Sequence, residues 1–310
     1  MNRKPELDIV KTVAVTAMVV GHSLLEGSPL RCFIYSFHMP CFFLISGFLF
    51  KEEQLCAAIK KSFFRLIRPF VITLSAIIFI HAIMQQWPTV MSKVLGLVYP
   101  SSVATNPSVF RYANVGVLWF LPAMFFCRIY FNLIFRYAHK HYLIVALSLT
   151  LVCGYVGKYI FNLPFGMLMG ACGMGYFGVG KYVSDNRDSF FKLPLWLWVL
   201  VAIPFVYLGV KFSMGMSYFS YMKRAYPLSI IVACFWSLFL YRLACTFGRY
   251  IGGGYLDREK LIGNIVCTFN NSRDHVELCS RFESTNRWCR YFTEWNHFGW
   301  RNVFIICFNR

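Results

Sequence analysis

Lys11 and His22 stand eleven residues apart in the first apolar run of a 310-residue chain. On an α-helix that spacing is about three turns and roughly 16 Å along one face. Asp8 lies one turn before Lys11, close to the same stripe. The stripe would carry a carboxylate, an amine and an imidazole in line, and ionisable groups at membrane depth are functional candidates by default. The plain alternative is that Asp8 and Lys11 only pair at the interface, with His22 among the outer headgroups. A second imidazole, His38, follows in Phe37-His38-Met39-Pro40. Proline removes a backbone donor, so His38 is expected at a helix break where a polar side chain can face a cavity. The short connection from Ser23 to Cys32 would bring His38 to the end of the helix that carries His22. An imidazole near neutrality can take a proton from a hydroxyl and return it, as acyl transfer to an alcohol requires.

A different chemistry is suggested by Lys60-Lys61-Ser62-Phe63-Phe64-Arg65-Leu66-Ile67-Arg68-Pro69. If this stretch is α-helical, Lys61, Arg65 and Arg68 share a face and present an amine and two guanidinium forks suited to phosphates. Ordinary positive-inside charge is the simpler explanation for such a cluster.

These groups need elements to hold them, and composition decides what kind. The chain is 58% hydrophobic, 19% aromatic and 14% charged, more apolar than a soluble domain can bury. A peptide group in hydrocarbon must be satisfied within its own segment, so runs of about 20 apolar residues are expected to be helices. The expected fold is an all-α polytopic membrane bundle of about eight transmembrane helices, near Ile9–Leu25, Phe33–Phe50, Pro69–Trp87, Val115–Phe135, Tyr142–Phe161, Leu163–Val183, Leu193–Phe212 and Tyr226–Cys245. Basic residues bias the orientation toward a cytoplasmic N-terminus, with the Lys51–Arg68 loop, Arg136 with Lys140, and Lys181, Arg187 and Lys192 inside. No cleavable signal peptide is expected, because the first run is interrupted by polar residues and lacks a small-residue cleavage site.

The net charge of +18 is accounted for by basic residues that flank helices and meet anionic headgroups, so the bilayer rather than nucleic acid is the expected partner. Cys41, Cys127, Cys153, Cys172 and Cys234 lie inside apolar runs without metal-ligand spacing, and no metal site is expected. Residues 1–245 form the membrane domain. From 246 to 310 the chain loses apolar periodicity and gathers Arg, Asn, Trp and Cys. That tail is read as an aberrant C-terminus, from a frameshift or a truncated gene, in preference to a cytoplasmic domain.

Four segments in order resemble acyltransferase family 3, the bacterial membrane O-acyltransferases that decorate surface polysaccharides and related glycans. They are Leu7-Asp8-Ile9-Val10-Lys11 with His22; Phe37-His38-Met39-Pro40 leading to Ser46-Gly47-Phe48-Leu49; Arg65-Leu66-Ile67-Arg68; and Leu118-Trp119-Phe120-Leu121-Pro122. The resemblance covers roughly Lys4 to Arg242. It implies a cytoplasmic (inner) membrane enzyme with no tightly bound cofactor. Acetyl-CoA or another acyl-CoA would be the donor, and the acceptor a hydroxyl of a carbohydrate or glycolipid on the other side. It implies His22 as the central catalytic residue with Lys11 as its partner, and Arg65 and Arg68, beside Lys61, on the donor side. The chain departs from the family pattern at its end, where fewer helices are followed by an unlike tail. The rival expectations are a glycolipid transporter or flippase whose path the polar stripe would line, and an inactive remnant of the enzyme.

Overall fold

The computed structural model describes residues 5–101, 113–156, 163–190, 192–212 and 226–251. The chain packs as two units, Met1–Phe247 and Gly248–Arg310, and every candidate residue named above lies in the first. The 246–310 tail falls almost entirely outside the described residues.

Helices account for nearly all of the described chain. The first apolar run is one unbroken helix, α1 (Pro5–Ser23), with Glu6 and Asp8 in its first turn, where carboxylates meet the positive end of the helix dipole. The second run is divided into α2 (Pro29–Tyr35) and α3 (His38–Phe48), and it begins four residues earlier than its apolar content suggested. Next comes α4 (Leu55–Ser62), followed without interruption by a π-helical turn at Phe63–Ile67 and by α5 (Arg68–Ile83). The helix therefore starts well before the expected Pro69, inside what was read as a loop. A further helix, α6 (Trp87–Val98), occupies part of the stretch left between two expected spans. Pro100–Ser101 and Ala113–Asn114 make a two-residue parallel pair.

The remaining runs are α7 (Phe120–Tyr137), α8 (Tyr142–Val156), α9 (Met167–Asp185), α10 (Arg187–Phe190), α11 (Leu195–Phe212) and α12 (Tyr226–Ile251). All eight runs are thus largely helical over their described residues, with a break inside the second and irregular residues at several ends. Among the described residues, four stretches could cross a membrane by length and apolarity: Pro29–Phe48, Leu55–Ile83, Gly116–Tyr137 and Pro227–Phe247. Tyr142–Tyr155 and Leu195–Lys211 are shorter apolar helices.

The centre of the unit is α9, packed against α3, α7 and α8. In lipid, tails are as apolar as leucine, so close backbone approach between small residues takes over part of the cohesion. A methyl group at Gly47 would collide with the Phe177 carbonyl oxygen, and one at Gly180 with that of Leu44. The α3–α9 crossing therefore requires both glycines. Beside it, Leu7, Val10 and Ala14 of α1 join Cys41, Leu44 and Phe48 of α3 and Val232 and Trp236 of α12 in one buried cluster. The outward face of α5 carries Val71, Ile72, Phe79 and Ile83, all exposed, as a lipid-facing helix must.

Candidate functional site

The break between α2 and α3 positions the second imidazole. Phe37, at φ −134° and ψ −26°, interrupts the helix, and its N–H turns to the Ile34 carbonyl at 3.3 Å. Pro40 falls in the first turn of α3, where a helix has no use for the missing N–H. His38 is the first residue of α3 and is 2% exposed. Its Nδ1 lies 2.9 Å from the Ile34 carbonyl oxygen. A carbonyl can only accept, so Nδ1 carries the proton and Nε2 keeps the lone pair.

His22 occupies the last turn of α1, half-buried, and its ring centroid is 6.5 Å from that of His38, nearly perpendicular to it. Tyr35 completes the group. Its hydroxyl is 2.9 Å from His22 Nδ1 and 3.4 Å from Nε2, and its ring centroid is 4.9 Å from that of His38. Arg31, one turn back on α2, lays its guanidinium over the Tyr35 ring at 5.2 Å, donates to the Leu24 carbonyl at 3.1 Å and pairs with Glu26 at 3.7 Å. Two imidazoles and a phenol from consecutive helices thus meet at one end of α1. Such a set can accept, hold and return a proton.

Lys11 lies on the same helix as His22, and its ammonium is 3.5 Å from the Asp8 carboxylate. Asp8 and Lys11 therefore form the interface-type pair weighed above as the plain alternative. The eleven-residue interval along one straight helix keeps Lys11 roughly 16 Å from His22, so any partnership is through the shared stripe and not by contact.

The basic cluster lies beyond the other end of α3. Lys61 is ion-paired to Glu53, in the segment between α3 and α4. That segment is fastened by Asn132 of α7, 3% exposed, which accepts from the Glu53 N–H at 3.4 Å and donates to the Glu53 carbonyl at 2.9 Å. Arg65 and Arg68 are exposed, and among the described residues neither forms a hydrogen bond or ion pair. Arg128 of α7 feels both the attraction of Glu53 and the repulsion of Arg65. The expectation of one face shared by Lys61, Arg65 and Arg68 needs correction. A π turn holds more residues than an α turn, so the one at Phe63–Ile67 rotates Arg68 out of the line through Lys61 and Arg65. Among the described residues, no group of three His, Cys, Asp or Glu side chains is arranged to hold a metal ion.

Leu118-Trp119-Phe120-Leu121-Pro122 serves packing. Trp119 is buried at the junction of a 3₁₀ turn with α7, and Phe120 stacks edge-on against Phe43 of α3 at 5.2 Å. Tyr35, Asn132 and Arg128 were not singled out from the sequence. Tyr35 and His38 are three apart but lie on either side of the break at Phe37, so their approach depends on a break whose geometry the sequence does not give. For Asn132 and Arg128 the partners are far along the chain, and no local pattern marks them.

A family model described as an acyltransferase domain matches residues 4–266. The match runs past residue 245 and takes in the start of the tail. No curated protein and no solved structure matches the chain.

Proposed function

Because the chain belongs to acyltransferase family 3, we propose that it is a membrane O-acyltransferase moving an acyl group, acetyl in the simplest case, from acyl-CoA to a hydroxyl of a cell-surface carbohydrate or glycolipid. The observation that carries this reading beyond the family is the meeting of His22 and His38 at 6.5 Å across a helix break. In the proposed reaction the acceptor oxygen attacks the thioester carbonyl carbon while an imidazole Nε2 takes its proton. The new C–O bond forms, the C–S bond breaks, and the proton is returned to the departing thiolate. His22 is the proposed base and His38 a second group at the same site. Lys11, within the stripe on α1, is the proposed partner of His22 along the helix.

Acyl-CoA acts here as a substrate, and Arg65 and Arg68 are the proposed holders of its phosphates. Their exposure, and the absence of hydrogen bonds or ion pairs to them among the described residues, support that role, since guanidinium forks match phosphate oxygens better than point charges do. Lys61, engaged by Glu53, contributes through the shape of the segment that it anchors. The proposed membrane arrangement is eight crossings of a bacterial inner membrane with a cytoplasmic N-terminus. The 19 residues of α1 would extend about 28 Å, close to the thickness of a hydrocarbon core.

Incubating membranes that contain the protein with labelled acetyl-CoA and a glycan acceptor tests the reading. Label should move to the glycan. Movement of unmodified glycolipid without label transfer would support a flippase, and neither event would indicate an inactive remnant. Orientation is tested separately with cysteine probes: a label at position 65 reached from outside intact cells would reverse the proposed topology.

A further inference from the structure

We infer that Arg128 is a third donor-holding residue: from α7 its guanidinium joins that of Arg65 in taking a phosphate group of acyl-CoA. The identity of the ligand rests on the acyl-transfer reading, and the site itself on where the residues lie. Arg128 stands near the middle of α7, within the Gly116–Tyr137 stretch that could cross a membrane. Tyr137 ends that helix nine residues later, so Arg128 is roughly 13 Å along the axis from that end. An ionisable group at such depth is costly, and by default it marks a ligand or ion path. Among the described residues, Arg128 forms no hydrogen bond or ion pair.

The packing of α7 shows what Arg128 faces. Asn132 follows it by one turn on the same side of the helix and holds the Glu53 backbone through both atoms of its amide. That side therefore looks onto the segment between α3 and α4, and α7 also packs against α4 and the π turn that carries Arg65. The carboxylate that attracts Arg128 is that of Glu53, to which Lys61 is already ion-paired. Arg65 is near enough to repel Arg128. Lys61, Arg65 and Arg128 are thus three cations served by one carboxylate. Like charges held together cost energy, and an anion shared between them removes that cost. A phosphate suits the place, because its several oxygens can accept from two guanidinium forks at once. Half-buried Arg128 would make the inner contact and exposed Arg65 the outer one.

Equilibrium binding of coenzyme A to the full-length protein in dodecyl maltoside micelles tests this without turnover. Arg128→Gln should weaken binding about ten- to a hundredfold, the worth of one or two charge-assisted hydrogen bonds. Arg128→Lys keeps the charge and loses the fork, so it should weaken binding by a smaller factor. Glu53→Gln removes the carboxylate that competes for the guanidinium and should tighten binding. The opposite signs exclude a structural role, because an Arg128 that only balanced Glu53 would give both substitutions the same sign. The Tm of ligand-free Arg128→Gln should be no lower than that of the wild type, since a costly charge is removed from membrane depth. Unchanged coenzyme A affinity in Arg128→Gln, effects of equal sign in Arg128→Gln and Glu53→Gln, or a wild type that binds no coenzyme A would each overturn the inference. Should Arg128→Gln not fold, wild-type affinity in Arg128→Lys refutes it instead. It is refuted too if Arg128→Gln keeps its coenzyme A affinity and loses only phosphatidylglycerol retained on the purified protein, because the guanidinium then holds a lipid headgroup. If coenzyme A binds with the stated dependence but the wild type transfers no acyl group, the failure belongs to the proposed function and the assignment of Arg128 stands.

Discussion

The two candidate sites, one at each end of α3, are built on opposite plans. Around His38 the polar groups are partnered in advance: Nδ1 on the Ile34 carbonyl, the Tyr35 hydroxyl on His22, and Arg31 on the Leu24 carbonyl and Glu26. Around Arg65 the protein pairs only the frame, through Lys61 with Glu53 and Asn132 with the Glu53 backbone, and leaves the two arginines of the motif exposed. A proton-transfer group works only in a fixed tautomer and direction, so its neighbours must be set before substrate arrives. A phosphate-holding group works by exchanging water for ligand oxygens, and a protein counter-charge would compete with that. On the proposed reading, the contrast would separate residues that act on the bond from residues that hold the donor.

The largest expected effect comes from removing the frame beneath both. Gly180→Leu would drive a side chain into the Leu44 carbonyl, and α3 carries His38 at one end and leads to Glu53 at the other. No folded protein should be recovered by size-exclusion of the detergent-solubilised variant, and a monodisperse, active variant would show that the α3–α9 crossing does not fix the sites. Next in size, His38→Ala should lower kcat about ten- to a hundredfold with little change in KM for acetyl-CoA. A change confined to KM would transfer His38 to the binding group and erase the contrast.

Replacing Arg65 and Arg68 together with Lys should have the opposite signature. The charge remains and the bidentate fork is lost, so KM for acetyl-CoA should rise about tenfold while KM for the acceptor holds. Unchanged donor dependence would return the motif to ordinary positive-inside charge. The smallest effect is expected at Asn132. Asn132→Ala leaves the Glu53 N–H and carbonyl without their side-chain partner, a loss of about 1 to 3 kcal/mol if both stay buried. The result should be faster proteolysis at residues 50–54, with transfer by the surviving folded protein reduced far less than by His38→Ala.

How much of this could be seen in the sequence depends on the range of the interaction. The approach of His38 to His22 was legible, because a short connection between consecutive apolar runs leaves little freedom. Tyr35 was not, since the helical phase that relates it to His38 is lost at the Phe37 break. The arginine face was legible as a cluster, but its geometry depends on a π turn that no residue pattern in Phe63–Ile67 announces. The pairing of Lys61 with Glu53 was hidden for a related reason: eight residues that include a helix start do not give a fixed separation. Charge and hydropathy located most helices to within a few residues, except for α4, which fills what was read as a loop, and α6, which starts at Trp87, the expected end of a span.

The division between the two ends stands or falls with His22. Wild-type protein and His22→Ala, both full-length, membrane-inserted and shown to be folded, are compared for label transferred from acetyl-CoA to a glycan acceptor. A positioned imidazole base is worth about a hundred- to ten-thousandfold in rate, so transfer should fall below detection in His22→Ala while acetyl-CoA still binds. Folded His22→Ala protein that keeps most of the wild-type rate would contradict the assignment of chemistry to that end of the bundle.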